Sequence, residues 1–85
     1  MKNCIALIGI IVENYKSVDD LNDILHKNKD IIIGRMGVPH KEKKISVMSV
    51  VLDTDSANVE KTVSEIKRLV GVKVNVIISD SCSID

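Results

Sequence analysis

Four side chains of this 85-residue sequence belong to the types that most often bind transition metals. They are His26, His40, Cys4 and Cys82. A structural zinc site usually takes its ligands from close pairs such as C-x-x-C, and these four residues form no such pair. We therefore expect no metal and no cofactor. Two free thiols are the favoured state of the cysteines, and a disulfide between the two ends of the chain is the alternative.

Catalysis by a nucleophile also needs a base and a group that orients the base. Ser46 and Ser49 fall within a predicted strand that offers no apparent base. His26 belongs to the surface of a predicted helix, and His40 lies in a turn with three lysines. No catalytic set can be assembled from these residues, so we predict that the protein is not an enzyme.

The strongest candidate for ligand binding is an arginine between two glycines. Gly34 and Gly37 would let a ligand or another backbone approach closely, and Arg35 could form a bidentate contact with a carboxylate or phosphate at a subunit junction. Pro39 and His40 follow directly and complete the candidate ligand-binding set. The alternative is that Arg35 forms a salt bridge with an acidic residue of the same oligomer.

Three lysines follow this set in the predicted turn. Lys41, Lys43 and Lys44 are typical of a solvated hairpin turn that protects a sheet edge from aggregation, and we favour that interpretation. The alternative is a basic lip that binds an anion.

The hydrophobic pattern predicts the elements that position these residues. Strand 1 is apolar on both faces, and so is strand 3, which indicates that both are central in the sheet. Asp55 and Ser17 are the predicted helix caps, Asp20 would complete a capping box with Ser17, and Gly71 would follow the second helix. The predicted elements are strands at residues 4–13, 30–38, 45–52 and 72–79, helices at residues 18–29 and 56–70, and a turn at residues 40–44, with Pro39 ending the second strand.

This order of strand, helix, strand, strand, helix and strand predicts an α+β, ferredoxin-like fold. Both helices would cover one face of a four-stranded antiparallel sheet, and the other face would leave Ile, Val and Leu exposed. We therefore predict that a second copy covers this face or extends the sheet edge, giving a homodimer or homotetramer. A monomer with a bare apolar face is the alternative.

Composition excludes several functions of this fold. The formal charge is zero, and the chain has no Phe, no Trp and one Tyr, so the core must be aliphatic. An RNA-recognition domain needs aromatic side chains on its sheet, and a neutral chain has no general attraction for nucleic acid or membranes. We expect a cytoplasmic protein without direct nucleic-acid or membrane binding. Residues 1–79 form one predicted domain, and residues 80–85 form a polar tail.

Three stretches together resemble a known family. They are residues 34–39 (GRMGVP), residues 45–55 ending in LDTD, and residues 71–74 (GVKV). Their pattern is similar to that of the small iron-only hydrogenase system regulators, which are ACT-like proteins with a fold similar to the C-terminal domain of nickel-responsive regulators. The resemblance implies a ferredoxin-like, ACT-like, oligomeric regulatory domain in the cytoplasm of an anaerobic bacterium.

Two departures from the related families limit what can be transferred. ACT domains that bind amino acids usually have a glycine-bearing loop after the first strand, where this chain has Asn14, Tyr15 and Lys16. The nickel-responsive domain uses a His/Cys set that is missing here. The resemblance therefore favours a ligand-sensing regulator with a small-molecule site at a subunit interface near Arg35 and Gly37. It would affect transcription or a hydrogenase system through a partner protein. The alternative is a protein interaction module without a small-molecule ligand.

Overall fold

The computed structural model describes residues 3–79, and its strands and helices follow one another in the predicted order. Short 3-10 turns precede α1 and β2. The elements are β1 (Cys4–Val12), α1 (Val18–Lys27), β2 (Ile32–His40), β3 (Ile45–Thr54), α2 (Ser56–Lys67) and β4 (Val72–Ile78), with the 3-10 turns at Tyr15–Ser17 and Lys29–Ile31.

The four strands form one sheet with the order β2-β3-β1-β4, and all neighbouring strands are antiparallel. β1 and β3 are therefore the central strands, as their apolar residues on both faces predict. Side chains of both helices join the same buried cluster as alternate residues of β1 and β3. The ferredoxin-like prediction is confirmed.

The core lies between the helices and one face of the sheet. β1 alternates strictly between buried and exposed residues, because successive side chains of a strand point to opposite faces. The buried positions of the helices follow the helical repeat. The core residues are Ala6, Ile8, Ile10, Val12, Leu21, Leu25, Met48, Val50, Leu52, Val59, Val63 and Ile66.

The first helix begins differently from the prediction. Ser17 is the N-cap residue, but its side chain makes no capping hydrogen bond, so the predicted capping box with Asp20 is wrong. The Ser17 hydroxyl instead donates to the carbonyl oxygen of Val70 at 2.6 Å, which ties the start of α1 to the end of the α2–β4 connection. The helix ends before Lys29, where the Asn28 side-chain amide donates to the carbonyl oxygen of Ile24 at 2.8 Å.

The second helix has the predicted cap and an earlier end. Asp55 accepts a hydrogen bond from the backbone N–H of Asn58 at 2.8 Å, which confirms Asp55 as the cap. The helix ends at Lys67, so Val70 lies outside it and is 70% exposed rather than part of the buried stripe. Gly71 has a left-handed conformation, with φ of 69°. It does not directly follow the helix as predicted, because the helix ends at Lys67 with Arg68 as its C-cap residue.

The edge strand β2 runs two residues further than predicted. Pro39 lies within β2 and faces Ser46 of β3, so the prediction that Pro39 ends the strand is wrong. Alternate N–H groups of an edge strand point away from its neighbour, and proline is tolerated at such a position. The turn is correspondingly shorter and begins after His40. A register irregularity lies between Ile32 and Gly34.

Cys4 is disulfide-bonded in the structure, whereas the sequence favours a free thiol. The other cysteine of the chain, Cys82, lies outside the described residues, as does the predicted polar tail of residues 80–85. No helix within residues 3–79 is long and apolar enough to cross a membrane.

Candidate functional site

The sheet face opposite the helices, called the open face below, is apolar. Leu7 lies near the middle of β1 on this face and is 41% exposed. Paired residues on neighbouring strands point to the same face, so the register shows which other side chains share it. The exposed apolar side chains of the open face are Ile5, Leu7 and Ile11 of β1, Met36 and Val38 of β2, Val47 of β3 and Ile77 of β4.

One row of small and polar residues interrupts the open face. Gly9 of β1 faces Ser49 of β3 on one side and Asn75 of β4 on the other. A Cβ atom at Gly9 would have only the carbonyl oxygen of Asn75 within 4.0 Å. A depression of about 380 Å³ therefore lies over Gly9, and a second of about 230 Å³ extends from it toward Leu7 and Ile77. We call the two together the central hollow.

The polar groups at the base of the central hollow are neutral. The Ser49 hydroxyl and the Asn75 amide can each donate and accept hydrogen bonds. Lys73 lies at one rim, and its ammonium is 3.8 Å from the Glu13 carboxylate, with both side chains more than half exposed. The hollow therefore suits a small, largely apolar molecule with one or two hydrogen-bonding groups.

A second concave site lies at the end of the β2–β3 hairpin. Its volume is about 370 Å³, and Tyr15 from the connection after β1 forms one wall. The residues that line this hairpin cleft are Tyr15, Pro39, His40, Lys41, Lys44, Ile45 and Ser46.

Local hydrogen bonds fix the turn beside the hairpin cleft. The Nδ1 atom of His40 accepts a hydrogen bond from the backbone N–H of Lys43 at 3.2 Å. The backbone N–H of Lys44 donates to the carbonyl oxygen of Lys41 at 3.3 Å. Lys44 has φ of 55°, a left-handed conformation that glycine or asparagine adopts more easily.

The five site residues predicted from the sequence do not meet at one point. Gly34 and His40 pair with open-face residues of β3, whereas Arg35, Gly37 and Pro39 alternate with them and belong to the helix-covered face. Only the last two residues of β2, Pro39 and His40, line the hairpin cleft.

Arg35 has a partner within its own chain. Its Nη2 atom donates to the side-chain oxygen of Asn22 on α1 at 2.9 Å. Asn22 is neutral, so this contact is neither the predicted carboxylate or phosphate contact nor the alternative salt bridge. This single hydrogen bond uses only one N–H group of the Arg35 guanidinium, so its other N–H groups can donate to further acceptors.

One ion pair of the described chain lies away from both concave sites. Lys27 of α1 and Glu65 of α2 form a salt bridge, and the hydrogen bond from Lys27 holds the pKa of the Glu65 carboxyl below its usual value. Among residues 3–79, no three His, Cys, Asp or Glu side chains come close enough together to hold a metal ion.

Sequence reasoning missed most of both concave sites. Gly9 is a glycine inside a predicted strand, a pattern that indicates a close approach or a bulge, but its partners Ser49 and Asn75 lie far away in the sequence. Tyr15 falls in the predicted connection between the first strand and the first helix. The available signal in the sequence is that Tyr15 is the only aromatic residue of the chain.

Comparison with solved structures supports this fold. The uncharacterized protein TM1266 from Thermotoga maritima superimposes with a TM-score of 0.85 and 23% sequence identity. The match covers 91% of this chain and 98% of that one. No curated protein matches the sequence.

A family model matches residues 4–76. This range contains both helices, the first three strands and all of β4 except its end. The family is TM1266-like, with the description "Iron-only hydrogenase system regulator, putative". The match covers most of the chain, and it agrees with the family that residues 34–39, 45–55 and 71–74 resemble. This chain therefore belongs to the TM1266-like family.

Proposed function

We propose that this chain is an ACT-like regulatory domain that works as a homo-oligomer and senses a small molecule. A second copy lies over the open face, and the central hollow becomes a ligand cavity between the two copies. The observation that carries this proposal is the open face itself, to which all four strands contribute exposed apolar side chains.

The open face offers enough apolar surface to hold two copies together. Full burial of an aliphatic side chain stabilises by about 1.5–3 kcal/mol, so a residue such as Leu7, 41% exposed, offers roughly 1 kcal/mol. A twofold interface uses the same patch on both copies, which doubles each contribution. The resulting total of roughly 10–15 kcal/mol is comparable with the ~4–15 kcal/mol that association costs.

The hollow gives the interface a place for a ligand. Its base combines Gly9 with the neutral polar groups of Ser49 and Asn75, and its walls are aliphatic. A molecule that fills the space between two such faces contacts both copies at once. Its binding would therefore strengthen the assembly by mass action, which is how such a domain can report the concentration of a metabolite.

The family description supports a regulatory role. In this proposal the ligand-dependent change in assembly alters the surface available to a partner protein, such as a maturation factor of a metalloenzyme. An effect on transcription would act through a separate DNA-binding protein.

Sedimentation equilibrium at micromolar concentration tests the assembly. We expect the wild-type chain to be oligomeric and Leu7→Gln to weaken its association at least about tenfold, because the change removes apolar contact from both copies. Val70→Gln is the matched control, since Val70 is also an exposed aliphatic residue, at 70% exposure, but lies outside the sheet. A wild-type monomer at every concentration, or equal effects of the two variants, would contradict the proposal.

A thermal-shift screen with amino acids, nucleotides and metal ions tests ligand sensing. A ligand present at one hundred times its Kd should stabilise the protein by about 2.7 kcal/mol. An oligomer that responds to none of these compounds would favour the alternative of a protein interaction module. In that function the open face serves only for contact with protein.

A further inference from the structure

We propose that the hairpin cleft binds a small organic anion that has a single phosphate or carboxylate group attached to a flat ring. Every residue of this site comes from one chain, so the site does not depend on the proposed assembly. Its volume of about 370 Å³ lies within the range of small-molecule pockets.

The charge of the cleft favours an anion. Lys41 and Lys44 both line it, and neither has an acidic partner within 4.0 Å among residues 3–79. Within the described part of the chain, no carboxylate lines the cleft. The two lysines lie three residues apart in one turn and repel each other, so an anion between them would relieve the repulsion.

Neutral hydrogen-bond donors accompany the lysines. The Nδ1 atom of His40 accepts from the backbone N–H of Lys43, so a neutral His40 ring has its proton on Nε2 and offers that N–H as a donor. Ser46 and Tyr15, which carry hydroxyl groups, also line the cleft. Oxygens of a phosphate or carboxylate accept from all of these groups.

The remaining lining suits a ring. Pro39 and Ile45 provide apolar surface, and the Tyr15 ring provides an aromatic one. Tyr15 is 70% exposed although it is the only aromatic residue of the chain. Aromatic rings pack favourably against flat apolar groups, so the exposed Tyr15 ring can pack against the ring of a bound anion.

The backbone of Lys44 is a separate observation in favour of a site. Its φ of 55° is unfavourable for a residue with a Cβ atom, and the corresponding position of hairpin turns is usually glycine. Strained residues of this kind concentrate at functional sites. Lys44 here places a cation in the cleft at a position where glycine would fold more easily.

Tyrosine fluorescence tests the site directly, because Tyr15 is the only tyrosine and the chain has no tryptophan. The probe is phenyl phosphate, with benzoate, inorganic phosphate and benzyl alcohol as comparisons. We expect a saturable change in Tyr15 emission with phenyl phosphate or benzoate, and which of them binds more tightly identifies the preferred anion. Inorganic phosphate should bind more weakly than phenyl phosphate, and benzyl alcohol should not bind.

Variants of the turn make the test specific. Lys44→Gly should weaken binding at least about tenfold and at the same time raise the melting temperature by a few degrees, because glycine tolerates the left-handed conformation. Lys44→Arg should retain binding. Lys43→Gly is the matched control, since Lys43 does not line the cleft, and it should change binding less than about twofold.

Three outcomes would overturn the proposal. They are no saturable emission change with phenyl phosphate or benzoate, equal losses in the Lys43 and Lys44 variants, and equal affinity for inorganic phosphate and phenyl phosphate. The first means that there is no site, the second that only the general charge of the turn acts, and the third that the ring surface takes no part. None of them bears on the assembly, which sedimentation measures separately.

Discussion

Replacing Gly71 with alanine should destabilise the fold more than any other single methyl addition at a glycine of this chain. Gly71 is the only glycine among residues 3–79 with a positive φ, 69°. Its carbonyl oxygen accepts hydrogen bonds from the backbone N–H groups of Glu13, at 2.7 Å, and Asn14, at 3.3 Å. A Cβ atom at this position would lie 2.5 Å from the Cβ of Asn14 and 2.9 Å from its backbone nitrogen.

The size of the effect follows from two separate costs. The left-handed conformation costs a residue with a Cβ about 1–2 kcal/mol. The contact with Asn14 cannot be relieved by a flexible side chain, because backbone atoms are involved, so the two strand ends must separate and the hydrogen bonds to Gly71 weaken at about 0.5–1.5 kcal/mol each. We expect a total loss of about 3 kcal/mol, which lowers the melting temperature by about 12–24 °C.

Urea unfolding followed by circular dichroism measures this loss. Gly34→Ala is the matched control, because a Cβ at Gly34 has no neighbour within 4 Å and its φ is not positive. The control should be neutral or stabilising by about 0.4–1 kcal/mol. A loss below about 1 kcal/mol for Gly71→Ala would refute the reasoning. Tyr15 follows Asn14 directly, so the same displacement should also weaken anion binding in the hairpin cleft.

Two further predictions concern the central hollow and the helix pair. Gly9→Val should fill the hollow, so any compound that binds there should no longer raise the melting temperature of this variant. The same compound should still raise the melting temperature of the control variant Gly34→Val. A thermal shift that persists in Gly9→Val would mean that the compound binds elsewhere. Because the pKa of Glu65 is lowered in the folded protein, its ionised carboxylate stabilises the fold above the ordinary glutamate pKa of about 4.3. This contribution to the free energy of unfolding is lost as the pH falls through the lowered pKa. Lys27→Ala should reduce this pH dependence by a measurable amount, up to about 1 kcal/mol, because the pair is partly exposed. Acid unfolding curves identical to wild type would contradict the assignment.

The fold was predictable because its main determinants are local patterns. Apolar residues on both faces of β1 and β3 identify the central strands, and Asp55 caps α2 as its position predicts. The failures occur where tertiary contacts replace local ones. The Ser17 hydroxyl binds the carbonyl oxygen of Val70, which lies 53 residues away, instead of capping its own helix. Pro39 is accommodated because β2 has a free edge.

The candidate sites were less predictable because they depend on register. Arg35 and His40 are close in sequence, but strand alternation sends them to opposite faces of β2. Gly9, Ser49 and Asn75 meet only when three strands are aligned, and a shift of one residue would move Ser49 to the helix side. The hairpin cleft likewise requires Tyr15 from the connection after β1 to reach the end of another hairpin.

The proposed link between assembly and ligand binding depends on the shape of the open face. Its most exposed apolar side chains are on the outer strands, with Met36 of β2 at 66% and Ile77 of β4 at 70%, whereas Gly9 of the central strand has no side chain. In the proposed assembly, the depressions over Gly9 on the two copies would leave a space between the faces. Atoms that line an empty space lose dispersion contacts, and a ligand of matching size restores them on both copies. By linkage, the factor by which a ligand tightens assembly equals the factor by which assembly tightens ligand binding. A chain that assembles in the proposed way would therefore sense a metabolite without any moving element.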